Sequence, residues 1–230
     1  MFYSQCNEDK ILYDRYFKNY KLEGQKYYLE MGAINGILYS NTKFYEDTLK
    51  WTGILIEPDP FQFCDLIKNR PNNKLMSVIC SDQKDVVEFN ICSEIPAVSS
   101  LKITEPSFFE NFYYSKSQMI KTNFIPISLD TIIENSGIKR IDLCVIDVEG
   151  HEINVLKSFS FKIPVVLWLI EFLDDENKNN EVKNIMKKNN CKFMELCYHN
   201  AIFINNDYLQ YFDLSNRWFS SGSFDYPLPS

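Results

Sequence analysis

The sequence predicts a doubly wound α/β fold, in which helices cover both faces of a mostly parallel sheet that ends in an antiparallel hairpin. Two continuous apolar runs, 141–146 and 165–170, are typical of parallel strands that are buried on both faces. An earlier apolar run, 27–29, leads into a glycine-containing turn, as happens where a strand passes into a helix. The alternation of strands and helices then predicts the doubly wound arrangement.

The first predicted elements are a helix, a strand and a second helix. In 5–20 the apolar residues recur at helical spacing, so the N-terminal region 1–24 is predicted to be an amphipathic helix. Strand one ends at Glu30, and the glycine turn follows it. The next helix extends to about Lys50, and the side chains that can cap its start are Ser40, Asn41 and Thr42.

A second strand, a helix and a third strand follow. Strand two, 53–57, is apolar until its final acid. Asp59 can cap the next helix, Pro60 suits its first position, and the helix should stop before Pro71. Strand three is predicted at 75–80. Together with strand one, these elements make the first half of the predicted sheet.

The middle and the end of the chain are less regular. A short strand at 86–91 precedes a segment, 94–126, that combines prolines with a cluster of aromatic residues. We interpret this segment as a candidate acceptor-binding insertion, although aromatic side chains that anchor a surface helix would give the same pattern. The aromatic tail, 206–230, either docks on the domain or belongs to a lid.

The second half of the sheet is predicted from longer apolar runs. Strands four and five correspond to 141–146 and 165–170, and the polar segment 176–189 is a helix. The runs 192–197 and 201–204, separated by three turn residues, predict the closing hairpin.

Composition excludes several functional classes. The 230 residues fit one domain, 1–230, because single cores grow to roughly 250 residues before they split. The formal net charge of −7 opposes binding to a phosphate backbone, so no nucleic acid partner is expected. No apolar run approaches the roughly 18 residues of a membrane span. The seven scattered cysteines and the absence of a signal-like N-terminus predict a cytoplasmic protein.

Acidic residues occur at every predicted strand end. They are Glu30, Glu57, Asp82, Asp147 with Glu149, and Glu171. In an open α/β sheet, ligands bind beyond the carboxyl ends of the strands. An unpaired buried carboxylate is costly, so the sequence predicts ligand or metal partners along this edge.

The turn after strand one predicts a nucleotide-type cofactor. Gly32 and Gly36 permit positive φ and a close approach of the backbone to a ligand, although they could also serve only as a strand-to-helix turn. The spacing G-x-x-x-G lacks the third glycine of dinucleotide sites and suits S-adenosylmethionine (SAM) better. Glu30 could then receive the cationic amino-acid end of SAM, and Glu57 its ribose.

The end of strand four offers candidate catalytic residues. Asp147 and Glu149 lie on one side of the strand-to-loop transition if the period of two continues, and Gly150 permits a sharp turn. His151 begins a helix, where the helix field favours the neutral imidazole that can accept a proton. The general base is therefore His151 or Asp147, although His151 could merely cap the helix or hold a carboxylate.

A divalent cation is an alternative to a general base. Asp147, Glu149 and Glu171 offer hard oxygen ligands of the kind that suits Mg²⁺. A cation bound there could orient two neighbouring hydroxyls and lower the pKa of one of them.

Several motifs together resemble the FkbM family of SAM-dependent methyltransferases. They are Ser4-Gln5-x-x-Glu8-Asp9-Lys10-Ile11-Leu12, Glu30-x-Gly32-Ala33-x-x-Gly36, Ser40-Asn41-Thr42, Trp51-x-Gly53-Ile54-Leu55-Ile56-Glu57-Pro58, Ser81-Asp82, Ser128-Leu129-Asp130 and Ile146-Asp147-Val148-Glu149-Gly150-His151-Glu152. The likeness covers roughly residues 4–205. It implies a class I methyltransferase fold, a Rossmann-like seven-stranded sheet, and methyl transfer to a hydroxyl oxygen, often on a sugar or a glycosylated metabolite.

The resemblance also implies positions for the cofactor. The residues expected at its methionine end are Glu30, Gly32, Asn35 and Gly36, with Ser40 and Thr42 close by. Glu57 would bind the ribose, and Ser81 with Asp82 the adenine. Ile34 stands where the family frequently has Asn, which could remove a polar contact to the cofactor.

The sequence therefore predicts a SAM-dependent O-methyltransferase that acts on a small-molecule or glycan hydroxyl. A non-catalytic glycan-binding or protein-binding module with the same fold is the alternative. A nicotinamide dehydrogenase is a weaker interpretation because the third glycine is absent. The acceptor, the metal dependence and the oligomeric state stay open at this point.

Overall fold

The computed structural model describes residues 1–101, 119–172 and 174–214. Its strands are β1 (Tyr27–Met31), β2 (Thr52–Ile56), β3 (Lys74–Met76), β4 (Val87–Cys92), β5 (Met119–Phe124), β6 (Ile141–Ile146), β7 (Val165–Glu171), β8 (Cys191–Cys197) and β9 (Asn200–Asn205). Its α-helices are α1 (Glu8–Leu12), α2 (Lys43–Leu49), α3 (Pro60–Asn69), α4 (Leu129–Ser136), α5 (Glu152–Lys157) and α6 (Glu176–Lys188).

The central sheet has seven strands in the order β3-β2-β1-β6-β7-β9-β8. The first five of these are parallel, whereas β9 is antiparallel to β7 and β8 is antiparallel to β9. The predicted doubly wound sheet with an antiparallel C-terminal hairpin is confirmed. Strand order reverses between β1 and β6, and the crevice beyond their carboxyl ends is where this architecture binds ligands.

Helices cover both faces of the sheet because successive side chains of each strand point in opposite directions. On one face, Leu29 and Ile146 belong to an apolar core with residues of α4, α5 and α6. On the other face, Tyr28 and Val145 belong to a second core with residues of α1, α2 and α3. Within the described ranges, no helix has both the length and the apolar character that crossing a lipid bilayer requires.

The third strand is shorter than predicted. β3 ends at Met76, whereas the sequence predicted a strand through residue 80. Residues after Met76 leave β2, and Cys80 instead forms an isolated parallel bridge with Ile127. The Ser81 N–H donates to the Ile127 carbonyl at 3.1 Å. The chain therefore bends away from the sheet and forms one side of the crevice.

The irregular middle segment contains a strand that the sequence did not predict. β5 pairs antiparallel with β4 in a separate two-stranded sheet. The apolar residues Ile79, Phe89 and Ile91 form a small core beneath this pair. The predicted aromatic cluster of this segment lies in 102–118, outside the described residues, as does the predicted tail from residue 215 onward.

The N-terminal helix is also interrupted, against the prediction of one continuous helix. α1 begins only at Glu8, because the Tyr3 N–H and the Ser4 hydroxyl both donate to the Asp9 carboxylate at 2.7 Å and fold the chain into a turn. After α1, Tyr13–Phe17 continues as a π-helical turn. The predicted helix is thus replaced by two short helical segments.

Candidate active site

The strand ends that border the crevice lie at one level because of the register of the sheet. Met31 pairs with Ile56 and with Ile146, and Ile146 pairs with Ile170. The residues that follow these four form one row along the edge, and they are Gly32, Glu57, Asp147 and Glu171. The sheet itself therefore assembles residues that are more than 130 positions apart in the chain.

The glycine turn brings the backbone of β1 close to that of β6. Gly32 has φ of +75°, and a Cβ there would lie 2.1 Å from the Asp147 carbonyl oxygen. Gly36 has φ of +79°, and a Cβ there would lie 2.6 Å from side-chain atoms of Arg70 and of Leu66. The prediction that both glycines adopt positive φ is confirmed, and a side chain at either position would displace its neighbours.

Glu57 is buried at the end of β2 and receives two backbone donors. One carboxylate oxygen accepts the Ile34 N–H at 2.8 Å, and the other accepts the Asp59 N–H at 2.7 Å. Burial raises the pKa of Glu57 to about 8, and it outweighs these two hydrogen bonds, which lower the pKa. Ile34 itself has φ of +47°, so its backbone conformation turns its N–H toward Glu57.

Glu30 is also buried, and its carboxylate is held by the segment that precedes α2. One oxygen accepts the Ser40 hydroxyl at 2.9 Å and the Thr42 hydroxyl at 2.6 Å, while the other accepts the Asn41 N–H at 2.6 Å. Burial raises the pKa of Glu30, although the nearby Arg70 guanidinium and these donors lower it. Ser40 and Thr42 therefore act on Glu30 in this structure.

Three carboxylates meet beside the ends of β6 and β7. Asp147, Glu149 and Glu171 are half-buried, and one carboxylate oxygen from each lies within 4.8 Å of those of the others. Glu149 reaches this position because it adopts φ of +51°, followed by Gly150 at +93°. Burial raises the pKa of Asp147, and the neighbouring carboxylates, Glu152 foremost, raise it further. The predicted metal candidates are thus brought together.

His151 lies at the N-cap position of α5, directly before the first helical residue, Glu152. Its side chain is buried and makes no capping bond to the helix. Instead, its Nε2 lies 2.9 Å from the Ser81 hydroxyl oxygen. The imidazole thus connects the end of β6 to the segment that leaves β3.

The crevice is a cleft with one acidic side and one apolar side. About 1000 Å³ of empty space lies within the cleft and its mouth, which opens to solvent. Its acidic residues are Glu30, Glu57, Asp147, Glu149 and Glu171, and its apolar residues include Val78, Ile79, Phe89, Pro96, Ala97 and Leu101. No Lys or Arg occurs among the described residues that line it.

The predicted site residues divide into two groups. Those that line the cleft are Glu30, Gly32, Glu57, Asp147, Glu149, His151 and Glu171. Those that do not line it are Asn35, Gly36, Ser40, Thr42, Ser81 and Asp82. Members of the second group hold other parts of the structure: Asn35 accepts the Ile37 and Leu38 N–H groups at 3.0 and 2.8 Å, and Asp82 accepts the Asn154 amide at 2.9 Å.

Sequence reasoning missed residues that come from distant elements. Arg70 is fully buried and contacts the glycine turn, although charged residues are almost never fully buried unless they are paired. Gln5 and Tyr39 line the cleft next to an isolated bridge between Ser4 and Tyr39. The signal for Gln5 was present, since the motif around it was part of the family resemblance.

The fold and the cleft define the class of protein as Rossmann-like α/β, with a glycine turn and acidic strand ends at the switch point of the sheet. The family model described as the Methyltransferase FkbM domain matches residues 30–194, most of the chain. The chain therefore belongs to the FkbM methyltransferase family. A family of methyltransferases implies, in general, SAM as the methyl donor.

Solved structures give more distant likenesses. One is a Pyrococcus horikoshii protein assigned as an RNA methyltransferase, with 10% identity, a TM-score of 0.44, and coverage of 86% of this chain and 81% of that one. Another is methyltransferase FkbM from Methylobacillus flagellatus, with 13% identity and a TM-score of 0.48. That match covers 83% of this chain but 46% of the other, so this chain spans less than half of that protein. A comparison with curated proteins gave no match.

Proposed function

We propose that this chain is a SAM-dependent O-methyltransferase that methylates a hydroxyl group of a sugar or glycoconjugate. The row formed by Gly32, Glu57 and Asp147 is the observation that carries the proposal. At the switch point of one sheet, Gly32 supplies a turn whose backbone a ligand can approach closely, Glu57 a carboxyl group suited to a diol, and Asp147 a candidate base. Family membership supports methyl transfer, and the acidic lining supports the cationic donor.

The residues present fit SAM. Gly32 lines the cleft without a side chain, so its backbone can approach a ligand closely. Glu57 would bind the two ribose hydroxyls, since both of its oxygens already have fixed orientations. Glu30 would bind the α-amino group. The apolar residues Val78 and Ile79 would contact the adenine, in front of the Ser81 and Asp82 segment.

Asp147 is the general base in this proposal. When bound, SAM would supply an electrophilic methyl group, and its sulfur would keep the electron pair of the bond that breaks as the acceptor oxygen attacks that methyl carbon. The Asp147 carboxylate accepts the proton of the attacking hydroxyl. A base whose pKa lies near the working pH transfers protons most efficiently, and burial moves the pKa of Asp147 in that direction. Nε2 of His151 is already bonded to Ser81, which favours Asp147 as the base.

Mg²⁺ is the alternative means of activating the hydroxyl. Asp147, Glu149 and Glu171 would supply its oxygen ligands, with two acceptor hydroxyls completing the set. Chelation separates the two proposals, because an enzyme that uses Asp147 as its base keeps its activity in excess EDTA, whereas a metal-dependent one loses it and recovers it with added Mg²⁺.

The acceptor is proposed to be uncharged where it enters the cleft. Carboxylates accept hydrogen bonds from neutral hydroxyls but repel phosphates, and the described lining offers no Lys or Arg to compensate. The apolar wall beside them suits the carbon face of a sugar ring or its aglycone. A nucleic acid substrate is disfavoured on the same grounds. The seven free cysteines support the proposed cytoplasmic location.

The test is methyl transfer from SAM carrying a labelled methyl group onto a panel of neutral sugars, glycosides and sugar phosphates. We expect label in neutral acceptors, released by conditions that cleave methyl ethers and not by those that cleave methyl esters. Amino sugars and uronic acids extend the panel, and transfer only to their nitrogen or carboxylate oxygen would overturn methylation of a hydroxyl group. Saturable glycan binding without any transfer would favour the non-catalytic module.

A further inference from the structure

Arg70 is a fully buried cation whose five N–H donors all have acceptors. Its Nε donates to Glu46, and its Nη1 donates to the Gly36 carbonyl at 2.9 Å and the Ser40 hydroxyl at 3.2 Å. Its Nη2 donates to the Tyr28 hydroxyl at 2.8 Å and the Thr42 hydroxyl at 3.2 Å. The guanidinium is therefore held in a single orientation between α3, the glycine turn and the segment before α2.

Two of these acceptors connect Arg70 to the cleft. The hydroxyl oxygens of Ser40 and Thr42 accept hydrogen bonds from Arg70, so their own hydrogens are directed away from it. Both hydrogens are donated to the same oxygen of Glu30, at 2.9 and 2.6 Å. Two parallel relays thus run from the buried cation through a hydroxyl to the carboxylate that lines the cleft.

The relays orient Glu30 and leave it with capacity to bind a ligand. A carboxylate offers about four acceptor positions, and the described bonds from Ser40, Asn41 and Thr42 use three of them. The oxygen that accepts only the Asn41 N–H keeps the remaining position. Because Glu30 lines the cleft, this position suits a cationic donor such as a primary ammonium group.

We propose that Arg70 is a positioning residue for the cofactor, which acts through Ser40 and Thr42 to hold the Glu30 carboxyl group in a fixed orientation as the acceptor for the α-amino group of SAM. This inference rests on the proposed function. It assigns to a residue behind the cleft wall a specific effect on one end of the cofactor. A residue that only supported the fold would affect all parts of the cofactor equally.

Two ligands that differ at that end test the proposal. S-adenosylhomocysteine (SAH) has the amino-acid group, whereas 5′-methylthioadenosine lacks it and keeps the adenosine and the sulfur. Calorimetry on the full chain would measure both affinities for the wild type and for Arg70→Met. We expect the SAH affinity to fall about 10- to 100-fold, as for a lost charge-assisted bond, and the methylthioadenosine affinity to change less than about threefold.

Further variants keep the test informative if Arg70→Met does not fold. Thr42→Val removes one relay, retains the buried cation and matches the side-chain shape of threonine. It should therefore lower the SAH affinity selectively, by a smaller factor than Arg70→Met does. Arg70→Lys should restore part of the SAH affinity. Arg15→Met is the matched control, because Arg15 pairs with Glu195 away from the glycine turn and should leave both affinities unchanged.

The outcomes separate this inference from the proposed function. Suppose that the wild type binds SAH and that the Arg70 and Thr42 variants lower the affinities for both ligands equally, or lower neither. The positioning role is then wrong, and the proposed use of SAM is unaffected. If the wild type binds neither ligand, the proposed cofactor fails, and the inference fails with it. Selective loss of SAH binding in the variants supports both the positioning role of Arg70 and the proposed cofactor.

Discussion

Asp147 combines three properties that a general base needs. It follows a fully buried strand, it lines the cleft, and its pKa is raised by burial and by neighbouring carboxylates. Glu149 and Glu171 lie within reach of it and would stabilise the protonated form after proton transfer. These features distinguish it from His151, whose Nε2 is already occupied by Ser81.

Replacing Asp147 should therefore impair chemistry more than binding. We expect Asp147→Asn to lower kcat by about 10²- to 10⁴-fold, because the amide cannot accept the proton, while SAM affinity changes little. The activity of the wild type should fall as pH decreases through the raised pKa of Asp147, since the base must be ionised. Rates measured against pH for both proteins, with His151→Gln alongside, test this. A greater loss in His151→Gln than in Asp147→Asn would reverse the assignment.

At this scale the sequence could identify the acids but not their surroundings. Strand ends can be located from apolar runs, so Glu30, Glu57, Asp147 and Glu171 were all predicted at the edge of the sheet. Arg70 could not be found in this way, because its burial depends on α3 packing against the glycine turn. The prediction that Ile34 removes a polar contact to the cofactor stays a prediction, and the bond from its backbone N–H to Glu57 was not predicted.

The glycine turn is the element that joins β1 to the cleft, and its geometry depends on the absence of a side chain. Gly32 has the tighter surroundings, because a Cβ there would overlap the backbone of β6. Gly137, after α4, has nearly the same φ of +72°, but a Cβ added there would have nothing within 4 Å. Comparing alanine variants at Gly32 and Gly137 therefore distinguishes the cost of backbone strain from the cost of steric overlap.

Alanine at these two positions should have different consequences. Gly137→Ala should cost about 1–2 kcal/mol of stability, the strain of a left-handed residue, and leave SAM binding intact. Gly32→Ala should cost more and abolish SAM binding, because β1 and β6 must separate. Denaturant unfolding and calorimetry measure the two effects. Equal losses of stability and unchanged SAM binding in both variants would contradict the role given to the turn.

Elements with continuous apolar runs or strong capping signals were predicted well. β6 occurs at the predicted residues, and α3 begins after Asp59, whose carboxylate accepts the Phe61 N–H at 2.8 Å. β5 was missed because its sequence, Met-Ile-Lys-Thr-Asn-Phe, has neither a continuous apolar run nor a regular alternation, and it pairs only with β4, in a sheet of two strands. β3 was predicted too long because the sequence does not show where the chain leaves β2 for Ile127.

For the molecule as a whole, the acidic cleft carries an electrostatic cost. Burial raises the pKa of Glu30, Glu57 and Asp147 in the cleft. It also raises the pKa of two carboxyl groups outside the cleft lining, Asp142 and Glu152. A raised pKa means that the folded protein holds protons that the unfolded chain releases. Their contribution to stability is complete below the unfolded pKa values and is lost as pH rises through the folded ones.

Stability of the ligand-free protein should therefore fall as pH rises from about 4, near the carboxyl pKa values of the unfolded chain, to about 8, the raised pKa of Glu57. Glu57, with its pKa of about 8, should dominate the upper part of this range. Urea unfolding at a series of pH values tests this, and Glu57→Gln should flatten the decline near its upper end. Stability that increases across the range would contradict the assigned burial of these carboxyl groups.

The overall topology was predictable because alternating strands and helices permit few arrangements. The order of strands then placed the cleft between β1 and β6, and the register brought the acids to one level. What could not be predicted is how the β4 and β5 pair lies against this edge, since that contact joins segments with weak patterns. This pair contributes Phe89 to the apolar wall.

Binding of SAM to the wild-type chain tests the central claim most directly. Calorimetry should show saturable binding at one site, weakened about tenfold or more by Glu57→Gln, since an NH₂ group, which cannot accept a hydrogen bond, would replace one of the two carboxyl oxygens beside the ribose. An absence of binding heat at about millimolar SAM, a concentration that detects even weak binding, would contradict the claim that this cleft is a SAM site.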